Sequence, residues 1–238
     1  TRLSRGLGDV YKRQILRGRR GNRRLVHQSP EMFRAGFGLS RDTNIVVSFI
    51  NHEKYIEPFW EARHADRLIE QLLLIEPEWV IVPNFSFFRD GPRTHSMFNR
   101  KRVLICAKEM AEAGLRISIP MQASTQTDWM MWAEFLAEHP EITMITEEFQ
   151  TGNRSKEQAT LSLNHLAETV RRSGRSDLHL LSVAGQAHRH RFEEIFPGRW
   201  TVTDTIPFGD AIRRREISID ARGKVRRKSR PSRPVLDL

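Results

Sequence analysis

The chain has a single cysteine, Cys106, in 238 residues. A lone thiol excludes an internal disulfide framework and excludes zinc or iron–sulfur sites built on several cysteines. The simplest expectation is a reduced, cytoplasmic setting. Long apolar runs are missing as well. Runs such as "LLLI" at 72–75 are far too short to cross a bilayer, so no membrane partner is expected. No Gly-rich phosphate loop follows any early strand-like segment, and no internal repeat is visible. No cofactor motif is evident.

Charge is plentiful but unevenly placed. Residues 1–24 carry nine Lys/Arg against one acid, and 213–233 carry ten against two. The span 25–212 carries 20 basic and 25 acidic residues, so the net charge of +10 comes from the ends. Within the N-terminal end, "GDVYKRQ" (8–14) has no apolar period. It resembles a translated sequencing-adapter end, so 1–14 is expected to lie outside the fold, with the natural N-terminus missing. The C-terminal run, with Arg213, Arg214, Arg215, Arg226, Arg227 and Lys228, is expected to form a basic tail that contacts nucleic acid by releasing counterions.

From residue 44 onward, short β-branched runs alternate with helix-length amphipathic stretches. The strand candidates are 44–49, 79–85, 116–120, 142–146, 178–184 and 200–206, with 215–220 as a candidate seventh. Among the helices, Pro77 stops the one carrying Leu68, Leu72 and Ile75. Ser155 and Gln158 form a capping box ahead of an Ala159, Leu163, Leu166, Val170 stripe, and Gly174 closes that helix. Such alternation predicts an α/β fold: a TIM-barrel-like succession of β/α units, or alternatively an open doubly wound parallel sheet. The expected organisation is a basic irregular segment (15–43), an α/β domain (44–212) and the tail (213–238).

In either architecture ligands meet the carboxyl ends of the strands. There the sequence places Asn84, Ser86, Arg89, Asp90 and Arg93 after the second strand, with Asn99 on the helix that follows, and Gln122 after the third. Glu147 and Gln150 follow the fourth, Gln186 the fifth, and Asp204 lies in the sixth. Glu147, Asp204 and Asp90 are the candidate acid–base groups, and the amides, Ser86 and the arginines are the candidate substrate contacts. Neighbours on a strand point to opposite faces, so only one of Glu147 and Glu148 should face a site. His188 and His190 form an H-x-H pair. On an extended segment both rings would lie on one side, a weak metal-site candidate.

The segment "PNFSFFRDGP" (83–92) resembles the hallmark P-D-F-S-x-Y-R-D-x-P of an uncharacterised family from phages and mobile elements. In that family an Asn and basic residues follow some ten residues on, as Asn99 and Arg100–Arg102 do here. The resemblance covers about residues 44–122, with Asn84 in place of the family's Asp and Phe88 in place of its Tyr. It implies a mobile-element context and no particular reaction. Taken together, the expected function is action on nucleic acid or nucleotides through a strand-end pocket. The alternatives are a non-catalytic nucleic-acid-associated protein, or a metal-dependent hydrolase using His188 and His190.

Overall fold

A computed structural model describes residues 16–17, 21–87, 91–149, 155–203, 215–219 and 225–229. The N-terminal segment is not wholly irregular. β1 (Leu16–Arg17) and β2 (Arg24–Leu25) form a short antiparallel ladder. α1 (Pro30–Gly36) follows, with Pro30 in its first turn and the Ser29 side chain accepting from the Met32 amide.

The predicted alternation then unfolds in order. β3 (Val46–Ser48) leads to α2 (Glu53–Ala62) and α3 (Leu68–Leu73). β4 (Trp79–Ile81) leads to α4 (Arg93–Glu112), and β5 (Ile117–Pro120) to α5 (Gln126–Glu138). β6 (Met144–Glu148) precedes α6 (Lys156–Ser173). β7 (His179–Val183) precedes a 3-10 turn (Gln186–His188) and α7 (Arg189–Ile195), and β8 (Trp200–Thr203) completes the series.

All six strands from β3 to β8 pair in parallel and in sequence order, forming a curled half-barrel. Right-handed crossovers that always step the same way put every helix on one face. A doubly wound sheet needs a reversal of strand order, and none occurs among these six. The strand candidate at 215–220 departs from expectation. β9 (Arg215–Ile219) pairs antiparallel with β10 (Val225–Ser229) in a separate two-stranded sheet. The basic tail therefore contains a hairpin.

Two apolar layers follow from the strand pleat. Val80, Ile117, Ile119, Ile145 and Leu180 face the helices in the main core, where Trp132, Leu136, Leu163 and Leu166 meet them. Ile81, Met144, Leu181 and Val183 alternate with them and form a smaller cluster on the opposite face. On that inner face the buried Ser118 and Thr146 hydroxyls bond each other at 2.6 Å. Cys106 is fully buried in α4, and burial pushes its thiol up to about 12. Among the described residues, no helix is long and apolar enough to cross a membrane.

Candidate functional site at the strand carboxyl ends

The loops after β3, β4 and β5 are tied together by polar contacts, with Asn84, Ser86, Asn99, Arg93 and Arg100 among the residues that supply them. Asn84 is buried, and its side-chain oxygen accepts from the Asn51 amide at 3.0 Å, so it continues the β3–β4 pairing beyond the last ladder residue. An Asp there would offer the same acceptor. The Ser86 carbonyl accepts from Asn99 Nδ2 at 2.9 Å, pinning the loop to α4. Ser86 thus contributes through its backbone.

α4 begins straight after Pro92 and carries its charges inward. The Arg102 guanidinium sits over Phe85, 3.7 Å from the ring centre, and near Trp60 at 4.8 Å. Its guanidinium donates to both Glu57 oxygens and to Asn99 Oδ1. Arg93 and Arg100, seven residues apart and therefore on one helix face, both reach Asp128 near the start of α5. Arg93 Nη1 donates to Asp128 Oδ1 at 3.0 Å and to Thr125 Oγ1 at 3.2 Å. Arg100 Nη2 donates to the same Oδ1, and Nη1 to Met131 Sδ.

Asp128 is fully buried, and its second oxygen accepts from the Ser124 amide, the Ser124 hydroxyl and the Thr125 amide. Burial works against its charge. The Arg100 bond, then the Ser124 and Thr125 bonds, outweigh burial and hold the carboxyl well below the usual range. Two guanidinium groups thus share one carboxylate, and Arg93 keeps 41% of its side chain exposed. Close by, the Gln122 carbonyl accepts from Trp132 Nε1, while Gln122 Oε1, Arg100 Nε and Arg102 Nε are buried without a hydrogen-bond partner.

The pair at the end of β6 divides as strand geometry requires. Glu147 turns to the helix side, where Ser162 Oγ of α6 donates to it at 2.6 Å, while Glu148 shares the inner face with Met144 and Thr146. Glu147 is therefore the member directed away from the inner face. Gln186 is exposed, in the 3-10 turn. The H-x-H segment is not extended. His188 closes that turn and His190 lies in α7, so the two rings diverge around a helical backbone. The His188 ring packs against Phe149, 5.3 Å between centres, and burial, then the charge of His190, lowers its pKa. Among the described residues no three His, Cys, Asp or Glu side chains gather as a metal-binding group.

Arg89, Asp90, Gln150, Asp204, Arg213 and Arg214 lie outside the described residues. Arg215, Arg226, Arg227 and Lys228 fall on the hairpin strands, in the register Glu216–Lys228, Ile217–Arg227 and Ser218–Arg226. Sequence reasoning passed over Arg100, Arg102 and Asp128 as site residues. A signal for Asp128 existed, since Thr125 and Asp128 spell a capping box. No family model and no curated protein matches the chain.

Proposed function

We propose that the strand-end face binds the phosphate and base of a nucleotide or nucleic acid, with Arg93 as the phosphate contact. The observation that carries this reading is the two-to-one arrangement of Arg93 and Arg100 on Asp128, which leaves one positive charge over at the exposed Arg93. A guanidinium held from one side and open on the other is preorganised for an anion. Gln122, half-buried at the same strand ends, is the candidate base contact. On this reading the half-barrel belongs to a TIM-barrel-like fold, and the resemblance of residues 83–92 supports a phage or mobile-element context.

Binding without chemistry is the form the observations favour. Asp128 is fully engaged by five donors and Glu147 is held by Ser162, so neither is free to move a proton. The basic hairpin supplies a second, sequence-independent contact to a polyanion.

The test is fluorescence anisotropy of a labelled single-stranded oligonucleotide at two salt concentrations. Arg93→Ala should weaken binding about tenfold, the scale of one charge-assisted hydrogen bond, and lower the salt slope by about one. An unchanged affinity and slope would remove the strand-end face from the binding surface.

A further inference from the structure

A second site lies away from the strand-end loops, where the chain entering β2 meets the connection between α2 and α3. A cavity of about 400 Å³ opens there, within the range of small-molecule sites. Its wall includes Asn22, Arg23, Arg24, Gln28, Arg67 and Glu70. Gln71 ties the two sides of the cavity together. Its Oε1 accepts from the Leu25 amide at 2.7 Å, and its Nε2 donates to the Arg23 and Asp66 carbonyls.

Two arginines of this wall are held in the same way. Arg24 Nε donates to Asn22 Oδ1 and Arg67 Nε to Glu70 Oε1, each at 3.2 Å. Each guanidinium is thus fixed at Nε, while its terminal nitrogens carry no hydrogen bond among the described residues. Arg23 differs, since its Nη1 is spent on the Pro58 carbonyl. On the acidic side, Glu70 is engaged by Arg67, and both Asp66 oxygens are shut off from solvent. The accessible wall is therefore weighted toward cationic donors. The backbone of Arg67 adds a separate sign. It is left-handed, with φ 49° and ψ 46°. Glycine takes that conformation without strain and arginine does not. Strained backbone of this kind concentrates at ligand clamps.

We propose that this cavity binds a small, multiply charged anion, a phosphorylated compound or a polycarboxylate, clamped between Arg24 and Arg67. A guanidinium presents its N–H groups as a planar fork, and phosphate and carboxylate oxygens accept them in pairs. The edge formed by the two terminal nitrogens is the one left open on both residues. Two open edges call for a ligand with more than one negative charge, because a single carboxylate completes only one of them.

Titration calorimetry on the full chain with pyrophosphate and with citrate tests this, in about 150 mM NaCl to screen exposed charges. The chain carries Arg93→Ala, so that the strand-end arginine contributes nothing and the two sites are read separately. One-to-one binding is expected. Tighter binding of pyrophosphate identifies a phosphorylated ligand, tighter binding of citrate identifies a polycarboxylate, and either result supports the proposal. Arg24→Gln and Arg67→Gln should each weaken binding about tenfold or more, the scale of a charge-assisted hydrogen bond. Lys108→Gln removes the same charge from the exposed face of α4 and should leave the affinity within about twofold. All three side chains are exposed, so circular dichroism should show the fold unchanged. Three results overturn the proposal: no one-to-one binding of either anion, undiminished affinity in either arginine variant, or an equal loss in Lys108→Gln.

Discussion

Asp128 gathers five hydrogen bonds on one buried carboxylate, and the energetic meaning lies in what its removal leaves behind. Arg100 is buried too, so Asp128→Asn strands a charge and should lower stability at pH 7 by about 3 kcal/mol. The sign of the pH dependence follows from the depressed carboxyl. Its contribution is complete above the unfolded value near pH 4 and is lost as pH falls from there toward the folded value. Urea unfolding at pH 7, 5 and 3 should give an equal gap between wild type and variant at the first two. The gap should be smaller at the third, and a constant gap would show that the ion pair is not its source. Little of this was legible beforehand. Asp128 reads locally as a helix-cap residue, but its partner Arg100 lies 28 positions away, and no spacing rule links them. Asp66 gave no signal either: within "HADR" it looks like any solvated acid, and only the fold buries it.

At the scale of elements, the turn after β7 decides how the strand-end face is walled. Ala184 and Gly185 both take positive φ, 62° and 83°, which swings the chain from the strand into the 3-10 turn. A Cβ on Gly185 would lie 2.8 Å from Phe149 Cδ2 and 3.2 Å from Ser182 Oγ. Gly185→Ala should therefore cost about 2 kcal/mol, combining the left-handed backbone penalty with displacement of a packed ring. Thermal unfolding measures the loss, and the His188 ring protons should shift in the NMR spectrum because that ring packs on Phe149. A stability loss under about 0.5 kcal/mol would mean that the turn relaxes freely. This turn explains why the H-x-H segment is not extended: the histidines follow a strand in sequence, but two positive-φ residues break the extended backbone before reaching them. Elements with a clean period were easier. Five of the six parallel strands fall within their predicted windows and β6 runs two residues past its own, while in the α6 stripe Ala159, Leu163 and Leu166 are buried and Val170 is partly buried. α4 was harder to read inwardly, since it buries Arg100 and Arg102 together with Val103, Cys106 and Met110. No hydrophobic pattern marks such a face.

At the scale of the molecule, alternation in the sequence was enough to give the parallel winding, because right-handed crossovers leave little choice. Curvature was not legible, since it depends on strand tilt and packing summed over the whole sheet. Nor was the partner of 215–220, because "VRRKS" (225–229) has the composition of a solvated charge run and yet forms the second strand of the hairpin. That pairing changes what the C-terminal charge can do. In a flexible tail, Arg226, Arg227 and Lys228 would each meet phosphates independently. On β10 they occupy consecutive register positions opposite Ser218, Ile217 and Glu216, held by the ladder. Replacing all three with Gln should lower the salt slope of oligonucleotide binding by about 2 to 3, since each neutralised phosphate contributes close to one. Arg93→Ala, as a phosphate contact, should remove only about one and should weaken binding about equally whatever the base composition of the oligonucleotide. If the triple variant leaves the slope unchanged while Arg93→Ala abolishes it, the acidic body carries the binding alone and the basic hairpin is a solvated surface.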